Sequence, residues 1–157
     1  MNSNLGTKII MFAAKTVNAE TVKEYRELGR KIRESRVVPA AAYTATWLPA
    51  ALCLYFVLES LGKGLENEVP LVVTDPRFDD GEEAGGKLFY GKMLDLLDGI
   101  NCAYPGKVVM VCAAKGAVHK LVEAVTSGSG ATPFELEDGH WLEFDVEGGQ
   151  VVLIRYL

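Results

Sequence analysis

Two short segments could carry chemistry: Phe12-Ala13-Ala14-Lys15 and Cys112-Ala113-Ala114-Lys115. Each closes an apolar run of the kind that forms a buried parallel strand, Lys8 to Phe12 in one case and Lys107 to Cys112 in the other. Ligands of parallel sheets bind beyond the carboxyl ends of the strands. Lys15 and Lys115 are therefore candidates for holding a small anion, a phosphate or a carboxylate, helped by the amides of a helix expected after Gly116. The competing reading is a pair of solvated lysines. Cys112 could be a nucleophile if a helix start lowered its pKa. In an apolar run the favoured reading is a small buried hydrophobe, as for Cys53.

The other candidate groups form weaker patterns. Asp80 lies in the acidic run Asp79-Asp80-Gly81-Glu82-Glu83, the composition of a solvated loop. His119 and His140 have no neighbouring His, Cys or carboxylate at metal-ligand spacing, so both are read as structural and no metal is expected. Cys53, Cys102 and Cys112 fit no zinc pattern and imply a reducing, cytoplasmic setting. Trp47 and Trp141 read as packing residues, because no basic groove accompanies them to make a base-stacking platform. No cofactor is implied.

These positions need a scaffold. A chain of 157 residues, 49% apolar and 24% charged, has the length and balance of one globular domain, taken here as 1–157. A net charge of −5 argues against nucleic acid or an anionic membrane surface as the main partner. The opening Met1-Asn2-Ser3-Asn4 lacks a basic stretch followed by an apolar run, so no signal peptide is expected. The most apolar stretch, Trp47 to Leu58, contains Pro49 and falls short of the roughly 20 residues a bilayer span needs.

After the first strand, Asn18 can cap a helix over Glu20 to Arg36, in which Val22, Tyr25, Leu28 and Ile32 form one apolar side. Ala41 to Thr44 is a short strand, and Pro49 suits the first turn of a helix ending near Gly62. Val69 to Thr74 is a strand and Pro76 to Gly86 a loop. Leu88 to Leu97 reads as a helix closed by Gly99. Ala117 to Val125 is a helix stopped by Ser-Gly-Ser-Gly at 127–130. His140 to Val146 and Val151 to Tyr156 are strands joined through Gly148-Gly149, a hairpin signal. Alternating strands and helices predict a three-layer α/β architecture: a mostly parallel central sheet, helices on both faces and a C-terminal β-hairpin.

Over almost its whole length the chain resembles the histidine phosphatase family, the phosphoglycerate-mutase-like group. That family opens with an apolar strand running into Arg-His-Gly, where this chain has Ala13-Ala14-Lys15. Its Ser-Ser-Pro-Leu-x-Arg-Ala-x-Gln-Thr-Ala block is matched without a gap in the region Tyr43 to Gly62, with Pro49 at the Arg and Cys53 at the Thr. Val72 to Asp80 is similar to the segment that ends in a proton-donating acid, placing Asp80 on that acid. Tyr104 to Val111 is similar to the strand before the second Ser-His-Gly, where Ala113-Ala114-Lys115 stands. Phe134 to Tyr156 keeps the closing hairpin character. In the family one histidine attacks phosphorus, while the second histidine and two arginines hold the phosphoryl oxygens. The resemblance puts Ala14, Ala114, Ala13 and Pro49 at those places, and none of them supplies a nucleophile or a charge.

The expectation is a histidine-phosphatase-like pseudoenzyme that binds a small anionic ligand or serves as an interaction module. The alternative is an enzyme acting on a phosphorylated or anionic small molecule by a non-histidine mechanism, with Cys112, Asp80 or the lysines active. A scaffold for self-assembly or for a protein partner is a third class. An open cavity beside Ala14 and Ala114 would favour ligand binding, and a filled one the scaffold.

Overall fold

The computed structural model describes residues 6–62, 71–79, 86–126, 140–148 and 150–156. Its elements run β1 (Thr7–Ala14), α1 (Ala19–Glu34), β2 (Ala41–Thr44), α2 (Leu48–Gly62), β3 (Leu71–Thr74), a 3-10 turn (Pro76–Phe78), α3 (Gly86–Ala103), β4 (Val108–Ala114), α4 (Lys115–Thr126), β5 (Leu142–Glu147) and β6 (Gln150–Tyr156). They make one six-stranded sheet in the order β3-β2-β4-β1-β5-β6. The first four of these strands are parallel, and β5 and β6 close the other side as an antiparallel hairpin. This is the mixed α/β architecture that the alternation of elements predicts.

The topology sets the layers. The chain steps from β1 past β4 to β2 and on to β3, then returns to β4. Right-handed crossovers therefore put α1 and α2 on one face and α3 on the other. At the neighbouring strands β1 and β4 the chain thus leaves the sheet in different directions. That divergence opens a crevice at their carboxyl ends, the usual ligand position in open α/β sheets.

Local sequence accounts for most of the elements. The Asn18 side chain accepts the Thr21 amide at 2.9 Å and starts α1, which buries Thr21, Tyr25, Leu28 and Ile32. Gly29 lies where α1 crosses α2, and a Cβ there would stand 2.4 Å from the Val57 carbonyl oxygen, so only glycine permits this approach. The centre of the sheet is fully apolar: Ile9, Ile10 and Met11 of β1 and Val109 to Ala113 of β4 have no exposed surface. The hairpin turn is marked by Gly148 at φ +57°, the left-handed region that favours glycine.

Several boundaries differ from the sequence expectation. Strands β1 and β4 continue through Ala13-Ala14 and Ala113-Ala114, so those alanines are strand residues rather than loop. Helix α3 does not stop at Gly99 but runs to Ala103, because Gly99 sits on the exposed side while Ile100 and Asn101 keep burying the other. Helix α4 starts at Lys115, before Gly116 and Ala117. The stop at 127–130 and Asp80 lie outside the described residues. Among the described residues, no helix is long and apolar enough to cross a membrane, and no group of three or more His, Cys, Asp or Glu could hold a metal ion.

Candidate functional site

Parallel pairing of β1 and β4 sets Phe12 against Cys112, Ala13 against Ala113 and Ala14 against Ala114. The repeated segments thus end side by side. Successive side chains alternate between the faces of a sheet, so Ala14 and Ala114 share one face while Ala13 and Ala113 share the other. Beside Ala14 and Ala114 is an open cavity of about 560 Å³, also lined by Thr46 and Trp47 from the β2–α2 connection, Asp79 from the end of the 3-10 turn, and Lys115 and Gly116 from the start of α4.

The β2 side of this cavity is built around Asp79. One carboxylate oxygen accepts the Thr46 amide at 2.9 Å and the Trp47 amide at 3.2 Å. The other accepts the Thr46 hydroxyl. These bonds lock the chain entering α2, and the carboxylate occupies donors that would otherwise face the cavity near the positive end of that helix. Trp47 is 44% exposed, so it forms part of the cavity wall rather than core packing. Trp141, by contrast, is buried.

The two lysines part company. Lys15 Nζ lies 2.5 Å from a Glu24 carboxylate oxygen on α1. With Thr16, Asn18, Glu20, Thr21 and Glu24 it lines a separate recess of about 260 Å³. The backbone there is pinned as well: the Tyr25 hydroxyl donates to the Ala13 carbonyl, and Cys53 Sγ donates to the Lys15 carbonyl at 3.4 Å. Lys115 is exposed and lines the larger cavity. Among the described residues, no carboxylate forms an ion pair with Lys115 and no cation forms one with Asp79.

Of the positions singled out by the family resemblance, Ala14 and Ala114 line the cavity. Ala13 alternates onto the other face, and Pro49 sits in the first turn of α2 outside the lining. Asp79, Thr46 and Trp47 are the site residues that sequence reasoning missed. The acidic run contains Asp79, but its selection depends on donors at Thr46 and Trp47, a contact 33 positions distant from Thr46.

Cys53 and Cys112 are both buried. Cys112 has no exposed surface, and burial, followed by the neighbouring Cys53, pushes its thiol well above the usual range, with only a backbone contact at Leu54 acting the other way. Burial also raises Cys53. A protonated thiol without solvent access is a poor attacking group. His119 is exposed on α4 and outside the cavity lining.

No family model matches the chain, and no curated protein matches it either. Solved structures do. The protein histidine phosphatase SixA complexed with tungstate superposes with a TM-score of 0.77 at 13% identity, covering 96% of each chain. A phosphoserine phosphatase mutant from Entamoeba histolytica in complex with phosphoserine gives 0.68 at 11% identity, again over 96% of each chain. Phosphoglycerate mutase from Bacillus anthracis gives 0.71 at 12% identity, over 95% of this chain and 92% of its own. The superposition over nearly the whole length of each chain identifies the architecture: this chain has the fold shared by these histidine phosphatases and phosphoglycerate mutases.

Proposed function

We propose that this chain is a non-catalytic member of the fold that uses the cavity at the ends of β1 and β4 to hold a small ligand bearing an anionic group. The observation that carries the reading is the open cavity of about 560 Å³ walled by the methyl groups of Ala14 and Ala114. Pockets of roughly 300–1,000 Å³ suit small molecules. Phosphoryl transfer through an enzyme-bound intermediate needs a nucleophile and converging positive charge. In the described lining Ala14 and Ala114 present methyl groups, the Asp79 carboxylate and the Thr46 hydroxyl are bonded to each other, and the Lys115 ammonium is the single positive side chain. The neighbours bound to tungstate and phosphoserine support an anion as the ligand class. The first turn of α4 supports it too, since a helix start presents amides without intrahelical partners.

The test has two arms. Hydrolysis of p-nitrophenyl phosphate by the purified chain should equal that of buffer. Turnover that survives Cys112→Ser would overturn the reading, whereas turnover lost with Cys112→Ser would revive the cysteine mechanism. In the second arm, simple carboxylates or inorganic phosphate should raise the melting temperature by binding the folded state.

A contact role has its own supporting observation. Leu48, Leu52 and Tyr55 expose an apolar stripe along α2, continuous with Trp47, and such patches mark contact surfaces. Sedimentation velocity tests its homotypic form: a single monomeric species up to high concentration removes it.

A further inference from the structure

The cavity holds two opposite charges that do not neutralise each other. On one wall, Asp79 keeps its carboxylate in place through the Thr46 and Trp47 amides and the Thr46 hydroxyl. Lys115, which also lines the cavity, carries an ammonium at the start of α4. No ion pair joins them, and among the described residues neither has another charged partner. The same lining includes Ala14, Ala114 and Trp47.

This distribution selects among anions. A dianion such as phosphate would be attracted by Lys115 but would share the cavity with a fixed like charge at Asp79. The Thr46 and Trp47 amides on that wall are already taken by Asp79. A carboxylate carries one charge fewer and meets less repulsion. A ligand that also bears an ammonium turns the repulsion into attraction, because Asp79 uses three acceptor bonds and a carboxylate offers about four lone-pair sites. An apolar spacer between the two ligand charges would lie on the alanine floor against Trp47, whose ring face also favours a nearby cation.

Resting on the proposed binding role of this cavity, we infer that its ligand is a zwitterion of the amino-acid class: carboxylate at Lys115 and the start of α4, ammonium at Asp79, and an apolar chain between them. Asp79 and Lys115 are then the specificity-determining pair, and the site discriminates against phosphate.

Matched probes test this: γ-aminobutanoate and ε-aminohexanoate against butanoate, hexanoate and hexylamine, with inorganic phosphate alongside, by calorimetry and thermal shift. At least one amino acid should bind about tenfold more tightly than its parent carboxylate, the scale of one partly desolvated charge pair. Added salt should shrink that advantage. Asp79→Asn keeps an oxygen to accept the Thr46 and Trp47 amides while removing the charge, so it should erase the advantage yet leave the parent carboxylate bound. Lys115→Gln, on an exposed side chain, should weaken both. Equal binding of amino acids and parents, or an advantage indifferent to Asp79→Asn in a variant that melts like the wild type, overturns the zwitterion and leaves the anion-binding role standing. No binding by any probe overturns the binding role itself.

Discussion

After Ala14 the chain runs through Lys15 to Asn18 before α1 begins at Ala19, whereas after Ala114 helix α4 begins at once with Lys115. The same Ala-Ala-Lys sequence therefore meets two different surroundings. At the β1 end the short connection lets Lys15 turn to Glu24, while Tyr25 and Cys53 hold the carbonyls of Ala13 and Lys15. At the β4 end there is no connection, and Lys115 stays with the first helical turn at the cavity. One lysine is absorbed into the α1 side of the fold and the other stays exposed at the cavity. A repeated motif marks two equivalent positions in a sheet, but the element that follows decides what its charged residue does.

Thiol chemistry should give the largest contrast. Cys112, within β4, and Cys53, bound to the β1 end, are buried, while Cys102 is exposed. Iodoacetamide at neutral pH should label Cys102 quickly and the other two only through opening of the structure, slower by about a thousandfold or more for a domain of ordinary stability. Because the folded state keeps the Cys53 and Cys112 thiols protonated to higher pH than the unfolded chain does, it binds more protons as pH rises through the ordinary thiol range, and stability falls there. Rapid labelling of Cys112 in the folded protein, followed by peptide mass spectrometry, would break the contrast and reopen the cysteine mechanism.

Gly29→Ala tests whether the β1 end depends on α1 docking against α2. The new Cβ would meet the Val57 carbonyl oxygen at 2.4 Å and Ser60 Cβ at 2.9 Å, contacts that backbone cannot relieve without moving the helices apart. We expect a loss of about 2–3 kcal/mol in urea unfolding, within the overpacking range. Cys53 should become labelled faster than Cys112. Equal acceleration at both would show that the two ends open as one unit and that the comparison is only static.

The smallest effects should come from the lysines themselves. Lys15→Ala and Lys115→Ala should each change stability by no more than about 0.5 kcal/mol, as exposed ion pairs and surface substitutions do. Their effects on ligand should differ. A carboxylate-induced rise in melting temperature should persist in Lys15→Ala and diminish in Lys115→Ala. Dependence on Lys15 alone would move the anion to the smaller recess beside Glu24, and equal dependence on both would restore a shared two-lysine site.

The amino-acid sequence by itself determined the order of elements and the parallel sheet, because the short apolar runs alternate with helical segments and Asn18, Pro49 and Gly148 act within a few residues of themselves. It also determined that alanines stand at the ends of β1 and β4, and hence what chemistry their side chains cannot supply. It misled where a local signal competed with packing: Gly99 reads as a stop, yet α3 passes it because the buried side of the helix continues beyond. Tertiary structure alone decided that Asp79 meets Thr46 and Trp47, that Trp47 walls a cavity, and that Lys15 and Lys115 diverge. Those outcomes depend on groups that are distant in sequence. Whether a charge is paired within the fold or left exposed depends on which partner the fold brings within about 4 Å, the range of an ion pair.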